Sequence, residues 1–119
     1  MKVRCITNNP MIIKKGSPVV EAFNVHPLNL YKLVKDEILK GYKLITHPLT
    51  GSIRPDISPY KSVVLNSNPG VVDMTSLNII ENAISYTEHL MAGNSIPHWD
   101  EASLQDFQLI DLDFVKDLI

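Results

Sequence analysis

The sequence predicts a small α/β domain in which about four strands form one sheet, partly parallel, with helices packed over it. Its 119 residues, 45% of them hydrophobic and 20% charged, fit one folded domain spanning residues 1–119. Segments with the two-residue period of a strand alternate along the chain with longer segments that have the period of a helix. This order is typical of a sheet covered by helices.

The first strand is predicted over residues 2–7, where apolar and polar side chains alternate, and Asn8-Asn9-Pro10 ends it. A basic turn follows at residues 14–18. The second strand is expected over residues 19–23, at a sheet edge because proline precedes it.

His26-Pro27 opens the first predicted helix, since proline is tolerated in the first turn, and Gly41 ends it as a left-handed cap. Residues 42–46 are predicted as the third strand, which His47-Pro48 stops. A loop of about a dozen residues then leads to the fourth strand at residues 62–65.

Asp73 is a candidate N-cap for a long helix through Met91, which Gly93 ends. Asp100 caps a further predicted helix. The tail from residue 109 fits either a strand, by its alternation, or a short helix, and we favour the helix.

The charge is unevenly distributed, although the net charge is only −2. Residues 1–61 hold ten Lys or Arg and four acids, whereas residues 62–119 hold one Lys and nine acids. This asymmetry indicates either an anionic partner for the basic half or two halves that face each other, within the fold or in a homo-oligomer.

Several classes of function are disfavoured. The acidic net charge and the lack of an aromatic–basic stripe argue against nucleic-acid binding. There is no apolar run long enough for a membrane span, no signal-peptide pattern, no metal-ligand spacing and no cofactor motif. A single cysteine, Cys5, agrees with a reducing compartment, so we expect a cytoplasmic location.

Polar loops follow three of the predicted strands, at residues 8–10, 47–55 and 66–70. If those strands run parallel, the loops share the sheet edge where open α/β folds bind ligands. Antiparallel pairing of the third and fourth strands would separate the loops, and the sequence allows both.

The central loop, residues 47–55, has the most side chains that could take part in binding or catalysis. It has an imidazole, hydroxyls, a glycine and a guanidinium, which is suited to binding a carboxylate or a phosphate. The candidate ligand-binding residues are Asn8, Asn9, Thr46, His47, Thr50, Gly51, Ser52, Arg54, Lys61 and Asn68. The functional interpretation is an anion site. In the alternative, Thr50 and Ser52 satisfy their own loop, His47 packs under Pro48, and Arg54 pairs with Asp56.

The segment from Leu44 to Pro55, with Pro59-Tyr60-Lys61-Ser62 after it, resembles the signature of the GrdX family. The opening at residues 6–10 and the helix at residues 76–83 are also similar. The matching motif positions are Asn8, Asn9, Pro10, Thr46, His47, Pro48, Gly51, Ser52, Pro55 and Lys61. The resemblance implies a small protein encoded with glycine, sarcosine and betaine reductases. It supplies no catalytic residues.

Three functions are then consistent with the sequence. The first is an accessory protein that binds a reductase component or a small anionic ligand through the three loops. The second is a small transferase or hydrolase for a phosphorylated or carboxylated metabolite, with His47 as general acid/base. The third is a self-associating structural protein. We rank them in this order.

Overall fold

The computed structural model describes residues 2–49 and 53–119, which form a three-stranded mixed sheet and four helices. The strands are β1 (Val3–Thr7), β2 (Val20–Ala22) and β3 (Ser62–Asn66). The helices are α1 (Pro10–Lys14), α2 (Pro27–Leu39), α3 (Met74–Met91) and α4 (Glu101–Val115). The predicted α/β class is therefore confirmed, with three strands instead of four.

The central strand, β1, is parallel to β2 and antiparallel to β3, which gives the order β2-β1-β3. Thr7, the last residue of β1, pairs with Ser62, the first of β3, and Val3 pairs with Asn66 at the other end. The end of β1 and the start of β3 consequently lie at one edge of the sheet.

The prediction of a strand at residues 42–46 is wrong, because this segment forms only one isolated bridge, from Leu44 to Leu65. Backbone hydrogen bonds from Asn66 to Lys43, at 3.0 Å, and from Ile45 to Val64, at 2.8 Å, join the segment to β3, but side chains take other positions of the ladder. The N–H of Val64 donates to the hydroxyl of Thr46 at 3.0 Å, and the N–H of Lys43 donates to Oδ1 of Asn66 at 2.9 Å. The segment runs beside β3 without extending the sheet.

The helix starts follow from local capping. The carboxylates of Asp73 and Asp100 accept backbone N–H groups of α3 and α4, and Nδ1 of His26 does so for α2. The short helix α1 was not predicted, because Asn9-Pro10 indicated only a break. Asn9 is in fact its N-cap and Pro10 its first residue. The tail, for which we favoured a helix, continues α4 to Val115.

The core has two parts, one on each face of the sheet. Alternate residues of β3 point to opposite faces, so Val63 and Leu65 meet α2 and α3 whereas Val64 meets α1 and α4. The first part also contains Ile6, Leu30, Tyr31, Val34, Ile38, Ile80 and Ala83; the second contains Val3, Cys5, Ile12, Leu112 and Val115. Among the described residues, no helix is long and apolar enough to cross a membrane.

Replacing Gly41 by alanine should be more destabilising than the same change at Gly93. Both glycines have positive φ, +104° and +74°. A Cβ at position 41 would overlap the carbonyl oxygen of Gly70, whereas Gly93 faces open space. We expect a loss of about 1 kcal/mol for Gly93→Ala and about 3 kcal/mol or more for Gly41→Ala, measured by urea unfolding. Equal losses would show that the approach to Gly70 is not tight.

Candidate functional site

Two of the three predicted loops share one edge of the sheet, and the third does not. The loop at residues 8–10 follows β1, and residues 53–61 lead into β3 at the same edge. Residues 24–26, which follow the parallel strand β2, also lie there. We call residues 8–10, 24–26 and 53–61 the carboxyl edge.

The loop at residues 66–70 lies at the opposite edge, because β3 is antiparallel to β1. The parallel arrangement under which all three loops would meet does not occur, and the antiparallel alternative separates the loop at residues 66–70 from the other two. Asn68 is exposed there, and the backbone N–H of Gly70 donates to the carbonyl of Gly41 at 3.0 Å.

Asn8 holds three segments of the carboxyl edge together. Its Nδ2 donates to the carbonyl oxygens of Val25 and Pro59, both at 2.8 Å, and its Oδ1 accepts the N–H of Lys61 at 2.8 Å. The side-chain amide thus forms hydrogen bonds with backbone groups that are not paired within the sheet. Only 8% of the residue is exposed.

A buried polar network lies below this edge and connects the sheet to α4. One carboxylate oxygen of Asp111, Oδ2, accepts hydrogen bonds from Nδ2 of Asn9 at 3.0 Å and from the hydroxyl of Ser62 at 2.7 Å. The Ser62 hydroxyl lies 2.6 Å from that of Thr7, which accepts the backbone N–H of Asn9. We call these four residues the Asp111 network. All are buried.

Burial dominates the electrostatics of the Asp111 network. Removal from water raises the pKa of Asp111, although the hydrogen bonds from Ser62 and Asn9 and the charge of Lys61 oppose that change. The second carboxylate oxygen, Oδ1, is buried and has no hydrogen-bond partner among residues 2–49 and 53–119. Burial, together with the charge of Asp111, also raises the pKa of the Cys5 thiol to about 12. Cys5 is therefore a thiol at neutral pH and a poor nucleophile.

Lys61 is buried, with 1% of its surface exposed, although the sequence made it a candidate ligand-binding residue. Its Nζ donates to the carbonyl oxygen of Ile53, so its side chain supports the start of the 53–61 loop. Burial lowers the pKa of this lysine to about 8, and the carboxylates of Asp111 and Asp56 partly offset the effect.

The other candidate residues of the central loop differ in how far their side chains are exposed to solvent. The Thr46 hydroxyl accepts the N–H of Val64. Nδ1 of the exposed His47 accepts the N–H of Leu49 at 3.1 Å. Arg54 is exposed and forms two hydrogen bonds with Asp56, at 3.0 and 2.7 Å, as the alternative interpretation predicted. The guanidinium lowers the pKa of Asp56. Thr50, Gly51 and Ser52 lie outside the described residues.

A small cleft of about 300 Å³ opens on the carboxyl edge. It is lined by Asn8, Asn24, Val25, His26, Pro27, Pro59, Tyr60 and Ile96. Burial lowers the pKa of His26, whose Nδ1 already accepts the N–H of Leu28 at 3.0 Å. The hydroxyl of Tyr60 accepts a hydrogen bond from Gln108 of α4. Within residues 2–49 and 53–119, no group of three His, Cys, Asp or Glu could hold a metal ion.

The sequence missed Asp111, Ser62 and Thr7 as parts of a polar network. The available signal was the position of Asp111, an acid directly between the apolar residues Ile110 and Leu112. A carboxylate on the apolar face of a helix requires hydrogen-bond donors from another segment. No pattern in the sequence names Asn9 and Ser62 as those donors, because they are far from Asp111 along the chain.

A comparison with protein-family models matches residues 4–119 to the model described as GrdX-like protein. The chain belongs to the GrdX-like family. No curated protein and no solved structure matches it. Family membership suggests an association with glycine reductase systems. In this GrdX-like protein, the motif residues Asn8, Asn9 and Lys61 are buried, and their side chains bond to other parts of the chain.

The stability of the GrdX-like protein should rise relative to that of Lys61→Met between about pH 8 and pH 10.5. The folded pKa of Lys61, about 8, lies below the ordinary value of 10.5, so the unfolded chain binds more protons in this interval. Below pH 8 the folded protein bears the full cost of a buried ammonium. We expect the difference in unfolding free energy to change by up to about 3 kcal/mol in favour of the natural protein.

Urea unfolding of both proteins at several pH values measures this difference. Exposed lysines and tyrosines titrate in both proteins, so their effects cancel. Lys116→Met serves as the control, because Lys116 is exposed. A difference that stays constant with pH would contradict a lowered pKa for Lys61.

Proposed function

We propose that this GrdX-like protein is an accessory protein of a glycine, sarcosine or betaine reductase system, and that it binds a component of that system through the carboxyl edge. The observation that carries the proposal is the arrangement of the motif side chains. Asn8 and Lys61 bond to the backbone of the loops and so fix their shape. Loops fixed in this way bind a partner with little further loss of conformational entropy.

The exposed groups beside these anchors provide the contacts. Arg54 is exposed, and His47 projects from the adjoining segment, whose Pro48 carbonyl accepts the hydroxyl of Tyr31 at 2.9 Å. A guanidinium at a rigid loop is suited to a carboxylate on a partner surface. Trp99 adds rigidity, since its Nε1 donates to the carbonyl of Ile57 at 2.8 Å. The single cysteine is the buried Cys5, which agrees with the cytoplasmic location included in this proposal.

Alanine at His47 or Arg54 should weaken binding of the reductase component without unfolding the protein. Each purified component of the reductase is titrated against the immobilised protein, and the dissociation constant is measured for each variant. We expect at least one component to bind, and each substitution to weaken that complex by about fivefold to tenfold, the range for contact residues of moderate importance.

Asn68→Ala is the matched control, because Asn68 is an exposed polar loop residue at the opposite edge. The affinity of the Asn68→Ala variant for the reductase component should equal that of the natural protein. Thermal unfolding should show that all three variants are folded. Absence of binding to every component would refute the proposal. Equal weakening by Asn68→Ala would show that another surface binds.

A small anion is the second candidate for the same edge, favoured by the exposed guanidinium of Arg54. Any anion there competes with Asp56, which holds Arg54 through two hydrogen bonds. Asp56→Asn should therefore increase the affinity for inorganic phosphate or acetyl phosphate by a few-fold, and Arg54→Ala should abolish binding. Thermal shift titrations with each anion measure this. If Asp56→Asn has no effect on the shift, Arg54 is not the binding group.

Catalysis by His47 is less favoured by the geometry. Its Nδ1 already accepts the N–H of Leu49, so this nitrogen does not serve as a base toward a substrate. We retain His47 as a contact residue in the proposed binding surface.

A further inference from the structure

The cleft on the carboxyl edge is lined by hydrogen-bond donors that the fold leaves unused, and His26 is the first of them. Its Nδ1 accepts the N–H of Leu28, so the neutral ring carries its proton on Nε2. Nε2 has no hydrogen-bond partner within residues 2–49 and 53–119 and remains accessible to solvent. Burial lowers the pKa of His26, so the ring is neutral at pH 7 and offers an N–H without a second acceptor.

Tyr60 and Asn24 line the same cleft and add two donors. The hydroxyl of Tyr60 accepts the side-chain N–H of Gln108 at 3.0 Å, which leaves its own proton available for donation. Asn24 is exposed, so its Nδ2 can donate to a ligand as well. Donors from two segments of the chain therefore line one cleft of about 300 Å³.

The main acceptors of the cleft are already occupied. Nδ2 of Asn8 donates to the carbonyl oxygens of Val25 and Pro59. The carbonyl oxygen of His26 accepts the N–H of Leu30 at 3.0 Å, within α2. None of the described residues that line the cleft is Asp or Glu. A ligand that satisfies this cleft must consequently bring acceptors of its own.

We propose that this cleft binds a carboxylate group through His26, Tyr60 and Asn24. An ionised carboxylate offers only acceptors, and hydrogen bonds to an ionised acceptor are stronger than those to a neutral one. A phosphate, which carries up to two charges, fits less well, because no Lys or Arg is among the described residues that line the cleft. A cation would find no acidic side chain there.

The walls of the cleft define the rest of the ligand. Val25, Pro27 and Ile96 line it, so a short hydrocarbon chain beside the carboxylate would contact apolar side chains. The cleft is also a different site from the Arg54 guanidinium, because Arg54 does not line it. The carboxylate can belong to a free carboxylic acid or to an acidic group on the surface of a partner protein, since both present the same chemistry.

A titration with butyrate, followed by NMR, tests the proposal on the protein alone. We expect the amide signals of residues 24–26 and 60 to shift, with a dissociation constant in the millimolar range that is typical of so small a ligand. Butyramide at the same ionic strength is the matched control, because it has the same shape without the charge, and it should bind more weakly. Absence of shifts at these residues, or equal affinity for butyramide, would overturn the proposal.

Two substitutions assign the binding to these donors. Tyr60→Phe and His26→Ser should each weaken butyrate binding by about tenfold, because each removes a hydrogen bond to a charged oxygen. Serine keeps an oxygen that can cap α2, so the helix start is preserved. Tyr86→Phe is the control, since Tyr86 is exposed on α3 and does not line the cleft. Unchanged affinity in either folded variant would count against the proposal.

Competition then identifies the source of the carboxylate. Butyrate is added to the complex of the protein with a reductase component. Release of the component would show that an acidic group of the partner occupies the cleft, whereas an unaffected complex would indicate a free carboxylic acid. The titration with butyrate needs no reductase component, so failure of the proposed function and failure of this proposal are seen in separate measurements.

Discussion

The bonding of the Asp111 carboxylate to Asn9 and Ser62 is the constraint on which the arrangement of the molecule depends. Through Oδ2, a residue of α4 is connected to the N-cap of α1 and to the first residue of β3. These three segments are distant in sequence, and the carboxylate brings them to one point. Removing either donor would leave a buried carboxylate with one hydrogen bond fewer, which is costly for a charged group removed from solvent.

The same network determines where α4 lies. Few of the helix's residues are buried, namely Asp111, Leu112 and Val115, so apolar packing alone defines its position weakly. The hydrogen bonds have narrow ranges of distance and angle, and they fix both the rotation of the helix and its position along its axis. Asn9 also donates to the carbonyl of Gln108 at 2.9 Å, one turn before Asp111. The rotation that buries Asp111 is the one that leaves Leu109 and Ile110 exposed.

Local signals in the sequence were sufficient for much of the fold. The caps at Asp73 and Asp100 and the proline after His26 predicted the starts of three helices, because a cap bonds to groups within a few residues. The segment at residues 42–46 had the pattern of a strand, but the side chains of Thr46 and Asn66 take some of its ladder positions. No local pattern reveals that competition.

The candidate site was harder to predict than the fold. Residues 8–10 and 53–55 lie at one edge of the sheet, whereas Asn68 would have joined them only if the strands had been parallel. Strand direction depends on the connection and the packing on both faces, and a loop of about a dozen residues allows either direction. Lys61 was a candidate for ligand binding, and lysine is a residue type that is rarely buried. In the buried position its Nζ donates to the carbonyl oxygen of Ile53, and the composition of the sequence does not indicate this contact.

Asn9 supports both the end of the carboxyl edge and the contact between α1 and α4, because it caps α1 and donates to Asp111. A substitution within the Asp111 network would therefore disturb the proposed binding surface together with the stability of the protein. An exposed side chain of that surface allows the two effects to be separated. Because Arg54 is exposed, a change in binding at this position, in a variant that unfolds like the natural protein, reports on recognition and not on folding.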